Sequence, residues 1–140
     1  MSYNIVKARY SKTDENGKNK VVTEQYLVDA LSCTEAEAKV IGELSPLYSD
    51  LQVKSIGDTR IAEVVNSECT DGFYAAKIAY VTLDERTGAE KRDITQWLIG
   101  GTDFNDAYEM LLRELNKCVS DIEIIGLAKS PIVEFLSGKL

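Results

Sequence analysis

A chain of 140 residues, 44% hydrophobic and 28% charged, is long enough for one domain, or for two very small ones sharing a core. It contains no histidine, which excludes Ser-His and Cys-His nucleophiles, imidazole base catalysis and imidazole metal ligation. The net charge of −7 argues against a generic DNA coat, and no window approaches the roughly 18 apolar residues of a membrane span.

The chain opens on "MSYNIVKARY", which lacks the apolar core of a signal peptide, so the expected location is the cytoplasm. Residues 3–10 alternate as a half-buried strand, with Val6, Ala8 and Tyr10 on one face and Lys7 and Arg9 on the other. "TDENGKN" supplies an Asn-Gly turn, and a second strand at 21–30 puts Tyr26 and Val28 on one face. Ser32 caps a helix, with Glu35 three residues on completing a capping box. Ala36, Val40, Leu44 and Leu47 form its apolar stripe, and Pro46 ends it near Ser45. "DLQVKSI" is a third strand and 60–65 a short fourth, followed by the joint "NSECTDG" at 66–72.

The same order then recurs. A strand begins at Phe73, "LDERTG" makes the turn, and a strand runs into the helix start at Asp103 and Asp106. Ala107, Leu111, Leu115 and Cys118 form the second stripe, with no proline to stop that helix as early. "DIEIIGL" and 131–136 close the chain. In the fourth strand of the first half, Ile61 and Val65 share one parity and Ala62 and Val64 the other. Such a strand is expected to be buried on both faces, and these strands to join the halves.

Residue by residue the halves agree at an offset of 70, then 71 after one extra residue in the second turn. Lys7 meets Lys77, Tyr10 meets Tyr80, Gln25 meets Gln96, Leu27 meets Leu98 and Ala36 meets Ala107. The expected fold is therefore α+β. It is an internal duplication of a β-β-α-β-β unit, pseudo-two-fold, with mainly antiparallel sheet and one helix per repeat. The repeats run from 1 to 66 and from 67 to 140, packed as one compact unit because each alone has a marginal core.

Candidate chemistry is sparse. Asp14-Glu15 and Asp84-Glu85 flank the hairpin turns without the spacing of a calcium loop, so they read as turn-capping residues. Glu63 and Glu134 make no arguable dyad. Cys33 lies in the first turn of a helix, where a thiol can be activated. Phe104 holds the same place in the second half, which favours a buried structural cysteine. Cys33, Cys69 and Cys118, odd in number and widely spaced, fit a reducing compartment and oppose a disulfide framework or zinc site. Gly100-Gly101 before the second helix makes a tight connection more than an anion site. No cofactor or metal is expected.

The outer face of the hairpins is the pattern that repeats. If Tyr10 and Tyr26 face the core, Tyr3, Lys7, Arg9 and Gln25 face outward in one half, and Phe73, Lys77 and Gln96 in the other. Aromatics among basic and amide side chains on a sheet hold single-stranded nucleic acid in many proteins. The plainer reading is a solvated strand face with protective lysines, and a protein partner or a second copy could use it equally. The first 28 residues carry a net +2, the only locally basic stretch.

"TEQYLVDALS" from Thr23, continuing "TEAEA" from Thr34, resembles the signature of a family of small uncharacterised proteins of Bacteroidetes and their phages and mobile elements, labelled a domain of unknown function. "VTLDERTGAEKR" at 81–92 is similar to that family's second hairpin. The resemblance implies a cytoplasmic protein of phage or bacterial origin and carries no catalytic residues with it. The expected function is thus a non-enzymatic interaction or accessory protein, binding a protein partner or self-associating through the hairpin face. The alternative is a binder of single-stranded DNA or RNA on the same face, and an enzyme ranks last.

Overall fold

The computed structural model describes residues 3–69, 71–117 and 121–136. In chain order the elements are β1 (Tyr3–Thr13), β2 (Asn19–Asp29), α1 (Cys33–Leu44), β3 (Gln52–Asp58) and β4 (Ile61–Val65). They continue as β5 (Phe73–Leu83), β6 (Glu90–Gly100), α2 (Phe104–Leu115), β7 (Asp121–Ser130) and β8 (Ile132–Leu136).

Local chemistry accounts for the turns. In the β1–β2 hairpin Asp14 Oδ1 accepts from the backbone N–H groups of Asn16 and Lys18, and Gly17 takes φ 78°. In the β5–β6 hairpin Asp84 Oδ1 accepts from the Arg86 N–H, and Gly88 takes φ 70°. An aspartate that folds its own turn and a glycine free of a Cβ together set each hairpin register. The turn carboxylates are thereby employed in structure.

Both helices start as expected. Ser32 Oγ accepts from the Glu35 N–H at 3.1 Å, while Glu35 Oε2 reaches back to the Leu31 N–H at 2.8 Å. Asp103 and Asp106 do the same for α2, at 2.8 Å and with the Thr102 N–H at 2.9 Å. The Leu31 N–H, aided by Lys39, holds the Glu35 carboxyl below its ordinary range. Ser32→Ala should therefore cost about 1 kcal/mol, read as a lower urea midpoint with an unchanged m-value.

The helix ends differ from expectation. Pro46 follows the end of α1 at Leu44, but α2 also stops after 12 residues with no proline. There Lys117 N–H bonds to the Glu114 carbonyl, a tightened last turn that closes the helix without one. Leu47 lies past α1 and is 70% exposed. Tyr48 packs against the core in its place. Cys118 lies outside the described residues.

The chain forms two compact units, Met1–Thr59 with Pro131–Leu140, and Arg60–Ser130. These boundaries do not coincide with the repeats drawn at 1–66 and 67–140. The first unit holds a four-stranded sheet in the order β3-β1-β2-β8, the second one in the order β4-β6-β5-β7. In each, the hairpin and the strand after the helix are antiparallel, and the short strand is parallel to the hairpin's second strand. β4 thus pairs with β6 and β8 with β2, so each half of the chain contributes its last strand to the other sheet. Both short strands lie at a sheet edge, with Glu63 and Glu134 exposed, so the two-sided apolar pattern does not mark interior strands.

In each unit the helix covers one face of the sheet. The first core joins Val6, Ala8, Tyr10, Tyr26 and Val28 to Ala36, Val40 and Leu44. The second joins Tyr74, Ala76, Ile78, Trp97 and Ile99 to Ala107 and Leu111. Each fully buried aliphatic side chain here contributes on the order of 2 kcal/mol.

Candidate functional site

The two repeated side-chain pairs meet. Lys7 stands opposite Gln25 across the β1–β2 ladder, and Lys77 stands opposite Gln96 across β5–β6. Strand alternation sends Val6 and Ala8 toward α1, so Lys7 and Arg9 project from the face that carries no helix. Ala76 and Ile78 toward α2 place Lys77 likewise. Lys7, Arg9, Lys77 and Gln96 are exposed and Gln25 is half-buried. Among the described residues none of these three cations has a carboxylate within ion-pair distance.

Grooves adjoin these residues. In the second unit a groove of about 340 Å³ is lined by Ala75, Ala76, Lys77, Gln96, Gly126, Leu127 and Ala128. Gly126 lies directly opposite Lys77 on β7, so no side chain fills the space beside the ammonium. In the first unit a groove of about 260 Å³ is lined by Arg9, Tyr10, Val21, Asp50 and Gln52. Asp50 there accepts from the Ser11 hydroxyl and backbone N–H, which hold its carboxyl below the ordinary range.

The aromatic candidates do not join this face as expected. Phe73 is 0% exposed, so it offers no ring to a ligand. Tyr3 is half-buried, edge-on to Phe135 with ring centroids 5.9 Å apart. Leu27 and Leu98 are fully buried too, although both lie outside the helix-side cores. The signal was readable in "FYAAKIAY" and "QYLV", where apolar residues occupy both parities.

The hairpin lysines also divide. Lys12 lies on the helix side of β1 opposite Lys20, and its ammonium pairs with Glu24 at 3.2 Å. Arg92 is held by Glu123 at 3.0 Å. Lys12 and Arg92 are therefore each neutralised within their own unit.

A tyrosine cluster went unforeseen. Tyr10 donates its hydroxyl proton to Glu24, so Tyr26, 2.7 Å away, donates to the Tyr10 oxygen. Tyr48 stacks on Tyr10 with centroids 3.9 Å apart. Burial pushes the Tyr26 hydroxyl up to about 12, and burial with the Glu24 bond raises Tyr10 further. A proton held this firmly serves structure. The absence of alternation around residue 48 hid its part.

Cys33 is exposed, not buried as expected, and Phe104 at the start of α2 is 49% exposed. The N-cap residue precedes each, and the first turn turns them outward from the core stripe. Among the described residues no cluster of three or more carboxylates and cysteines could hold a metal, and no helix is long and apolar enough to cross a membrane.

The model of a family described as a domain of unknown function, DUF4494, matches residues 2–137. The chain belongs to the DUF4494 family. No curated protein matches this DUF4494 chain.

Proposed function

We propose that this DUF4494 protein is a non-enzymatic interaction protein that binds a protein partner through the helix-free face of its hairpins. The observation behind this reading is the Lys–Gln cross-strand pair present in both units, each cation without a carboxylate at ion-pair distance among the described residues. An ammonium beside an amide suits a partner's carboxylate, and the adjoining groove in the second unit accepts a small apolar side chain. In this reading the chain is a cytoplasmic accessory protein of phage or bacterial origin, built by duplication of one β-β-α-β-β unit. Its missing histidines fit a protein without catalysis.

The alternative is single-stranded DNA or RNA on the same face, favoured by Lys7 and Arg9, which have no ion-pair partner among the described residues. The buried Phe73 and the neutralised Arg92 and Lys12 weaken it, because stacking rings and a continuous run of cations are what such a track needs. The test pairs two measurements on wild type and Lys7→Glu/Lys77→Glu. Cross-linking capture from host lysate should lose its protein partner in the variant, with circular dichroism unchanged. Anisotropy of labelled single-stranded oligonucleotides at two salt concentrations should show no binding. Micromolar, salt-sensitive binding lost in the variant would replace the protein partner with nucleic acid.

A further inference from the structure

Two adjoining rows of the second sheet make the groove beside Lys77. Gln96, Lys77 and Gly126 stand side by side across β6, β5 and β7. Two residues along β5, on the same face, Ala75 stands beside Ala128. Only Lys77 and Gln96 among the lining side chains carry hydrogen-bonding groups. The Lys77 ammonium has no carboxylate at ion-pair distance among the described residues. Glu123 lies on the same face, opposite Ala79, but Arg92 holds it at 3.0 Å. The groove thus sets a cation and an amide beside walls of methyl groups.

The first unit has the same cross-strand pair in different surroundings. Ser55 stands opposite Lys7 where Gly126 stands opposite Lys77, and the next pair along is Arg9 with Thr23 where the second unit has Ala79 with Ile94. Packing does not impose the glycine. A Cβ at Gly126 would meet nothing within 4 Å, and its φ lies outside the left-handed region. A larger residue there would fit the strand and fill the groove.

Charge and the lack of polar walls together select the occupant. The ammonium calls for an anion, and the alanines offer no hydrogen bond to a polar group behind it. A chain-terminal carboxylate or an aspartate would carry a peptide N–H into the methyl row and leave it without a partner. A phosphate has no hydrocarbon to lay along the alanines. Glutamate joins a carboxylate to its backbone through two methylenes, so one side chain meets both requirements. We propose that this groove seats a glutamate side chain of the protein partner. Its carboxylate lies on the Lys77 ammonium and the Gln96 amide, and its methylenes lie along Ala75 and Ala128. The assignment rests on the reading of the hairpin face as a protein-binding surface, and it places the recognition in the second unit.

The test is an NMR titration of the full, nitrogen-15-labelled chain with N-acetyl-glutamate N-methylamide and with its glutamine and aspartate analogues. The glutamate probe should shift the amide signals of Lys77, Gln96 and Gly126, and the glutamine analogue should bind about tenfold more weakly or less. The aspartate analogue should fall between them. Gly126→Val and Lys77→Met should each lose the shifts with circular dichroism and the urea midpoint retained, while Lys7→Met keeps them. No shift at any soluble concentration of the glutamate probe, equal binding of the glutamine analogue, or unchanged binding in Gly126→Val overturns the inference. Displacement of the probe by a single-stranded oligonucleotide overturns it in favour of nucleic acid. Capture from host lysate separates this inference from the reading it rests on. A partner lost in Lys7→Glu/Lys77→Glu but kept by Gly126→Val leaves the hairpin face standing and rejects the groove. If wild type captures no protein, the face reading fails and the glutamate seat falls with it, even where the probe binds.

Discussion

Gly100→Ala is expected to destabilise the protein by about 3 kcal/mol or more. A Cβ at this position would sit 2.3 Å from the Asn66 carbonyl oxygen and 2.5 Å from Cys69 Cβ. Neither obstacle can swing away. The carbonyl belongs to a backbone that is itself pinned, with Asn66 in the left-handed region at φ 54°. The Asn66 side chain donates to the Gly100 carbonyl at 3.0 Å, and the Cys69 N–H bonds to the Asn66 carbonyl. Relief therefore requires the segment after β4 to leave the end of β6, where β4 and β6 pair. Urea unfolding followed by circular dichroism reads the loss as a reduced midpoint. Gly42→Ala is the control: it has open space around its Cβ direction and lies inside α1, so it should be neutral or stabilising by up to about 1 kcal/mol. If Gly100→Ala matches wild type, the close approach of residues 66 and 100 is wrong.

The second large effect belongs to Tyr10. Its ring is 1% exposed, stacked on Tyr48, and its hydroxyl joins Glu24 to Tyr26. Tyr10→Ala should cost about 4 kcal/mol through lost contacts and the cavity left behind. Tyr10→Phe keeps the ring and should cost about 1 to 3 kcal/mol, because Glu24 loses a donor and the Tyr26 hydroxyl its acceptor. The pH dependence follows from the direction of the shifts. Burial raises both hydroxyls above the ordinary value of 10.0, Tyr26 to about 12. The unfolded chain therefore releases these protons first as pH rises. Stability is full below pH 10 and falls steadily toward pH 12. Tyrosinate absorbance should show two residues lagging the others until the protein unfolds. Titration of all tyrosines together in the native state would contradict the buried network.

Neither effect could be argued from the chain alone, and the reasons differ. The strand-to-helix glycines were legible as a tight connection, but nothing in "LIGG" names the partner that makes it tight. Asn66 is 34 residues away in sequence. Tyr10 and Tyr26 were legible as core-facing by alternation, whereas Tyr48 sits in an irregular segment after Pro46 where no period operates.

The candidate face divides in the same way. Lys7 pairs across its hairpin with Gln25 and Lys77 across its own with Gln96, because hairpin register follows from turn chemistry a few residues away. Phe73 is buried although it matches Tyr3 in strand position, because apolar residues on both parities after it bury both faces of β5.

What the chain determined by itself is what short-range physics can enforce. That is the strands of period two, the aspartate-folded turns, the two capped helices with their Ala-Val-Leu and Ala-Leu stripes, and the α+β class. Each depends on groups within about one turn or one hairpin of each other. The tertiary structure decided where β4 and β8 go. Five residues of mixed apolar pattern can satisfy their backbone at any open sheet edge, so local sequence leaves the choice undetermined. Only the finished sheets, each with β2 or β6 offering a free edge, direct each last strand into the other half's sheet.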